Sequence, residues 1–373
     1  KMKAIGIILA GGNNNRMKEL TAKRAVPALP VAGSFRSIDF ALSSMSNSHI
    51  QTVAVLTQYN ARSLNEHLSS SKWWNFGRKQ GGLFLFTPTV TADNSDWYRG
   101  TADAMYQNID FLKRRHEPYV IISSGDCVYK LDFNRVLDFH IEKKSDITVV
   151  CKDMMYNDDV SRFGVVRMDD ESRITEFDEK PIEALSNTIS TGIYVIRRRQ
   201  LIELLEAAAE ENRFDFVNDI LVRYKNVKKI YGYKINSYWN NIADIDAYFK
   251  TNMDFLRPDV RSYFFREEPT ICSKVDDLPP AKFNPGSDIS NSLVSSGCII
   301  NGSVEDSVLF KQVFVGKNTT VKNCVILNDV YIGDNVHLEN CIVESRGTIN
   351  PNTCYCGEDG VMIVKEKNVR YVI

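Results

Sequence analysis

The sequence predicts two units: an α/β domain built on a mostly parallel sheet, and after it a parallel β-helix of hexapeptide repeats. Three observations carry this. Short apolar runs alternate with amphipathic stretches up to about residue 255. Prolines 258, 269, 279, 280 and 285 then crowd one irregular segment. Beyond Ser290, apolar residues recur every six positions. Alternating strand-like and helix-like segments argue for a sheet with helices on both faces. A six-residue apolar period argues for short turns that each bury one side chain inward.

The elements follow in order. Ala4–Leu9 is short, apolar and rich in β-branched residues, which predicts a buried strand. It breaks into Gly11-Gly12 and a helical stretch, the arrangement in which backbone N–H groups face an anion. Asn13-Asn14-Asn15 follow, and three amide side chains there would crowd a triphosphate. Val53–Leu56, Tyr119–Ile122 and Ile147–Val150 are the next strands, with helices expected over 102–115 and 133–143. Proline at such density continues neither a helix nor a central strand, so 257–289 is expected to be a connector. In the last unit Val315, Val321 and Leu327 fall six apart, as do Ile332 and Leu338, and Val343 and Ile349. Gly316 and Gly333 each follow the first apolar residue of a set. Such coils bury their faces by stacking, which makes this unit an expected contact surface between subunits.

Composition narrows the partners. Forty-six basic residues against forty-seven acidic ones, in a chain of 373, give no electrostatic case for nucleic acid or a membrane surface. No apolar run approaches a membrane span and no signal-peptide core is present, so a cytoplasmic location is expected. The eight cysteines are scattered apart from Cys354 and Cys356, which favours reduced thiols over disulfides or zinc. His49, His67, His116, His140 and His337 show no ligand spacing in the sequence.

Several separated motifs resemble one family. Ala10-Gly11-Gly12 with Arg16, Thr21–Ala28 and Phe35–Ser43 look like the opening of bacterial glucose-1-phosphate adenylyltransferases. So do Thr57-Gln58-Tyr59, Trp97–Ala104, Ser124-Gly125-Asp126, Phe177–Pro181, Thr191–Tyr194 and Tyr238–Ile242. The motifs run in family order over nearly the whole chain. The resemblance implies a Rossmann-like nucleotidyltransferase domain over residues 1–256, the connector over 257–289, and a left-handed β-helix over 290–373. It implies in-line attack of glucose 1-phosphate on the α-phosphate of ATP, giving ADP-glucose and pyrophosphate. Positioning and charge neutralisation dominate such chemistry, with Mg²⁺ held between phosphates and one or two carboxylates.

Roles follow residue by residue from that resemblance. Asp126 ends a buried strand at the sheet's carboxyl edge, a suitable place for a metal-bearing carboxylate, and matches the family's metal position. Arg16 and Lys23 match cations that meet the triphosphate. Gly11, Gly12, Gln58, Gly100 and Thr101 match the nucleotide pocket, with Tyr98 nearby. Glu179 and Lys180, with Gly192, match the sugar-phosphate site.

Four departures fall at the chemistry. The family loop Gly-Gly-x-Gly-Thr-Arg-Leu has Asn14 and Asn15 in place of its third glycine and threonine. The family's Tyr-Trp-Arg-Asp-Val-Gly-Thr is Tyr238-Trp239-Asn240-Asn241-Ile242-Ala243-Asp244, so the second metal ligand position holds Asn241. Val26 stands for a lysine, and Cys127 for a histidine. Together with Gly82–Phe86, these changes resemble the D-type regulatory subunit of Gram-positive bacteria. That subunit pairs with a catalytic homologue in glycogen synthesis, so a hetero-oligomer, a tetramer, is expected, with weak or absent catalysis. Mg²⁺ would then be needed only so far as ATP binding or turnover is kept. Two other readings are an active homo-oligomeric ADP-glucose synthase and a sugar-phosphate sensor without turnover. Acyl transfer by the hexapeptide unit would need His337 as a base, against its simpler place as an outward polar residue between Val336 and Leu338.

Overall fold

The computed structural model describes residues 4–12, 15–77, 81–91 and 96–365. The first unit is built on a nine-stranded sheet. Gly82–Phe86, Thr52–Leu56, Ala4–Leu9 and Tyr119–Ser124 lie side by side and parallel, ending in register at Phe86, Leu56, Leu9 and Ser124. Beyond them the sheet turns antiparallel. Thr188–Arg197 runs against Tyr119–Ser124 and Ile147–Asp153, and Gly164–Met168 pairs with Ile174–Glu179 as a hairpin. The parallel pattern therefore holds for the half that carries the Gly-Gly turn, and for the pair Ile230–Lys234 with Ile147–Asp153.

Burial explains the layering. Along the first strand Ile8 faces one apolar cluster, with Ile38, Leu42 and Met45 of the helix Ser37–Asn47 and with Phe133 and Leu137. Ile5 and Ile7 face the other, with Met105, Leu112, Leu201 and Leu205. A strand buried on both faces loses polar alternation, which is why it reads as one continuous apolar run. The helix expected over 102–115 divides into Thr101–Gln107 and Ile109–Lys113. The break falls at Asn108, whose amide donates to Ala104 O and Tyr98 Oη.

The segment 257–289 differs from the expected connector. Pro258 opens a helix, Pro258–Phe265, at a first-turn position where a missing N–H costs nothing. Val260 and Phe264 of that helix join Phe40, Tyr248 and Phe255 in a third cluster. The first β-helix strand is already present at Lys282–Phe283.

The second unit is a three-sided parallel β-helix, each side a five-stranded sheet. Its middle rungs are 17 residues, as the asparagine pairs Asn318–Asn335 and Asn335–Asn352 show, while the earlier step from Ile299 to Phe314 is 15. Those asparagines sit at φ near +56° to +61°, a left-handed turn that asparagine tolerates. Val315, Val321, Ile332, Leu338, Val343 and Ile349 point into the coil, as the six-residue period predicts. Leu327 does not. A rung of 17 shortens one side by a residue, so Ile326 points inward and Leu327 packs with Val308, Phe310, Val325 and Ile342 against the first unit. One face of the β-helix is thus covered within the chain. A second face carries an outward column of Ile299, Phe314 and Tyr331, the last two rings stacked at 4.7 Å.

The two units are also joined by polar contacts. Arg24 is ion-paired with Glu344 and donates to Leu20 O and Ser345 Oγ. Ser295 Oγ donates to Gly33 O at 2.9 Å. Among the described residues, no helix is long and apolar enough to cross a membrane.

Candidate active site

A cleft of about 820 Å³ opens at the carboxyl ends of the parallel strands, lined by Leu9, Leu56 and Ser124 where those strands stop. This is where open α/β sheets hold ligands. The cleft brings together Gly11, Gly12, Arg16, Gln58, Tyr98, Gly100, Thr101, Asp126, Glu179, Lys180, Gly192 and Asn241. Lys23 is exposed and forms no part of the lining. Of the departures, Asn15, Val26, Cys127 and Asn241 line the wall, and Asn240 does not. Asn13 and Asn14 lie outside the described residues. The stretch after the glycines is a 3₁₀ segment, Asn15–Thr21, in which Lys18 takes positive φ, rather than a regular α-helix.

Each wall has a local cause. Gly100 precedes the helix Thr101–Gln107, and the Phe214 carbonyl accepts from Ala102 N and Asp103 N at 2.8 and 3.2 Å. A Cβ on Gly100 would collide with that carbonyl, so only glycine fits. Thr101 Oγ1 accepts from Phe216 N, tying the same corner. Gln58 is held from two sides: its Oε1 accepts from Tyr98 N at 2.8 Å and its Nε2 donates to Tyr98 O at 3.2 Å. Tyr59 and Trp97 stack at 5.6 Å beside it, both well exposed.

The opposite wall comes from a bulge. The strand Thr188–Arg197 shifts register between Ser190 and Tyr194, and Gly192 sits inside that shift at φ +76°. A bulge of this kind breaks the strand's alternation, and here Ser190, Thr191 and Gly192 all line the cleft. Lys180 reaches in from a positive-φ turn, its Nζ 3.6 Å from Glu179 Oε1. Burial holds the Glu179 carboxyl above the usual value, against the opposing charge of Lys180.

The floor carries the acidic group. Asp126 Oδ1 accepts from Ser124 Oγ at 2.5 Å and from the Cys127 thiol at 3.4 Å. Cys127 pairs across a two-stranded ladder with Asn241, which brings the second predicted ligand position next to Asp126. Asn241 Oδ1 accepts from Ala243 N at 2.9 Å, and its Nδ2 donates to Cys127 Sγ at 3.5 Å. Burial and the Asp126 charge hold the Cys127 thiol well above its usual pKa, so it keeps its proton.

One cation of the wall was not expected. Arg162 lines the cleft, ion-paired with Asp244, which also caps the helix Ile245–Asp254 through Ala247 N. Hydrogen bonds from Ser161 hold the Asp159 carboxyl below the usual range, with Arg162 and Arg16 assisting from nearby. No family motif flagged residue 162. The available signal was the unusual Asp244 in the segment Tyr238–Asp244, a carboxylate that needs a partner.

A Gly-Gly turn at the strand ends, with one carboxylate on the floor and cations on the walls, is the site of a nucleotidyl transferase. The chain matches the nucleotidyl transferase family over residues 5–257 and the GlmU-like C-terminal hexapeptide family over residues 279–363. It is 38% identical over 324 residues to a glucose-1-phosphate adenylyltransferase of Clostridium novyi, covering 86% of this chain and 85% of the relative. The one of Geobacillus stearothermophilus is 39% identical over 367 residues, covering 98% of this chain and 95% of the relative. That of Clostridium acetobutylicum is 39% identical over 324 residues, covering 86% and 85%. The chain belongs to the glucose-1-phosphate adenylyltransferase family.

Proposed function

We propose that this chain is a cytoplasmic regulatory subunit of a glucose-1-phosphate adenylyltransferase, with little or no turnover of its own, acting with a catalytic homologue in a hetero-oligomer. The observation that supports it is the floor of the cleft. Asp126 is one carboxylate, and beside it stands an amide whose carbonyl oxygen is already engaged by Ala243 N. Mg²⁺ binds through one or two carboxylates plus substrate phosphates, and it depends on their charge. One carboxylate fits an ion that arrives with a phosphate chain and makes a poor cage for a free ion. Asp126 is the residue that would hold it, and the ion would neutralise charge developing on the α-phosphate. Around it, Arg16 and Arg162 would face the phosphates, the Gly-Gly turn would present backbone N–H groups, and Lys180 would meet the sugar phosphate. The outward column Ile299, Phe314 and Tyr331 is a surface suited to lateral contact with a homologous chain, and a tetramer is the expected assembly.

The competing reading is an active homo-oligomeric enzyme. It is favoured by an intact cleft and by Arg162, which supplies a cation to a lining where Val26 supplies none. Pyrophosphate release by the purified chain separates the two. The regulatory reading expects a negligible rate alone, and a raised maximal rate or sugar-phosphate affinity when the catalytic homologue from the same cell is added. Turnover alone at the rate of a catalytic relative, or co-purification as separate species with unchanged partner kinetics, would overturn it.

Binding can be tested apart from chemistry. Glucose 1-phosphate is expected to bind the wild type, and Lys180→Ala to weaken it by roughly tenfold, the loss of one charge-assisted contact. Isothermal calorimetry on both proteins measures this, and equal affinities would remove Lys180 from the site.

A further inference from the structure

We propose that His337, Glu339, Cys354 and Cys356 form a binding site for a tetrahedral divalent transition-metal ion of the zinc class, on an outer face of the β-helix. The sequence hides this site because its two halves are separated by one rung. His337–Glu339 and Cys354–Cys356 are parallel neighbours, with His337 opposite Cys354 and Glu339 opposite Cys356. Side chains at the first and third positions of each strand share a face, so all four donors project from the same patch. His337, Glu339 and Cys356 place ligand atoms within 4.8 Å of one another.

Two of the spacings match a coordination shell, while Cys354 lies outside the 4.8 Å group and would join it by a side-chain rotation. Two thiolates each about 2.3 Å from one tetrahedral ion stand about 3.8 Å apart. Cys354 Sγ and Cys356 Sγ are 3.8 Å apart. Nitrogen and oxygen ligands at about 2.0–2.1 Å stand about 3.4 Å apart, and His337 Nε2 lies 3.4 Å from Glu339 Oε2. Thiolate with imidazole selects zinc-like ions over Mg²⁺ or Ca²⁺. The same two columns on earlier rungs carry Asp288, Ser303 and Thr320, and Ser290, Glu305 and Lys322, none of them histidine or cysteine. Lys322, the neighbour of Glu339 in register, directs its Nζ to Glu305 at 3.9 Å. His337 and Glu339 are about two-fifths exposed, so an ion can enter from solvent. Bound there, it would clamp two successive rungs together.

The test uses the full chain, reduced and stripped with chelator, titrated with Co²⁺ alone. One equivalent is expected to give tetrahedral visible absorption and a thiolate-to-cobalt charge-transfer band, both lost when Zn²⁺ is added. Cys354→Ser should roughly halve the charge-transfer band. Cys356→Ser or His337→Ala should weaken binding by more than the about 10–100-fold typical of losing an outer-shell partner. These side chains point outward, so far-ultraviolet circular dichroism should be unchanged in every variant. Zn²⁺ should also raise the thermal midpoint of the wild type and leave that of the triple variant His337→Ala, Cys354→Ser, Cys356→Ser in place. No binding by the wild type, octahedral absorption only, or equal binding by the triple variant would overturn the site. The last result would assign the ion elsewhere, exposed Cys272 included.

Discussion

Replacing Asn14 by Gly, Asn15 by Thr, Val26 by Lys and Asn241 by Asp together is expected to raise Mg²⁺-dependent ADP-glucose formation by the isolated chain about 10²–10³-fold. That is the range lost when one preorganised charge-stabilising group is removed from an active site. Asn241→Asp carries the most. Its Oδ1 would still accept from Ala243 N, so the backbone turn survives. Its other oxygen would meet the protonated Cys127 thiol, whose one proton is already drawn toward Asp126. Two carboxylates around a single thiol repel each other until a cation sits between them. Mg²⁺ should therefore raise the thermal midpoint of Asn241→Asp more than that of the wild type. Val26 is nearly buried at the cleft wall, so a lysine there must run its stem along apolar neighbours and put its ammonium into the cleft. The combined effect should exceed the sum of the single changes, because metal and triphosphate bind as one unit. A folded quadruple variant that binds ATP with Mg²⁺ and shows no turnover would place the defect elsewhere and overturn the assignment of the silencing to these four positions.

Arg24→Ala should cost about 3–5 kcal/mol, the loss seen when one partner of a buried ion pair is removed. Arg24 and Glu344 are only 15% and 16% exposed, and the pair bridges the two units. Truncating Arg24 strands the Glu344 carboxylate with Ser345 N as its remaining partner. Denaturant midpoints of Arg24→Ala, Glu344→Gln and the double apolar variant Arg24→Met with Glu344→Leu make the measurement. The double variant is expected near wild type, since a matched apolar pair avoids the desolvation of both charges. A loss under about 1 kcal/mol for Arg24→Ala would class the pair with surface bridges.

Much of the scaffold was legible because its cues are local. Ala4–Leu9, Thr52–Leu56 and Tyr119–Ser124 are apolar, β-branched runs with polar or glycine residues at or just past their ends, and all three are strands. What failed needed information about a partner in space. The helix Pro258–Phe265 was hidden because proline signals a break inside a helix and a start at its first turn, and the residue alone does not say which. Leu327 was placed inside the coil because a six-residue count ignores the shortened side of a 17-residue rung. The candidate site residues gathered in one cleft except Lys23, which follows Ala22 on the exposed side of its turn. Arg162 was missed because its significance depends on Asp244, 82 positions away in the chain and adjacent in the fold.

The hold of Gln58 on Tyr98 has a consequence for any purine that would enter the cleft beside it. Both faces of that amide, donor and acceptor, are already matched by one backbone unit. A purine edge offers the same complementary pair, so it competes with the protein's own main chain for a partner. Entry there is a swap of one pairing for another, nearly level in enthalpy. The swap by itself would add little, so a base held there would depend on ring stacking and on its phosphates. The base would then act as a selector of orientation.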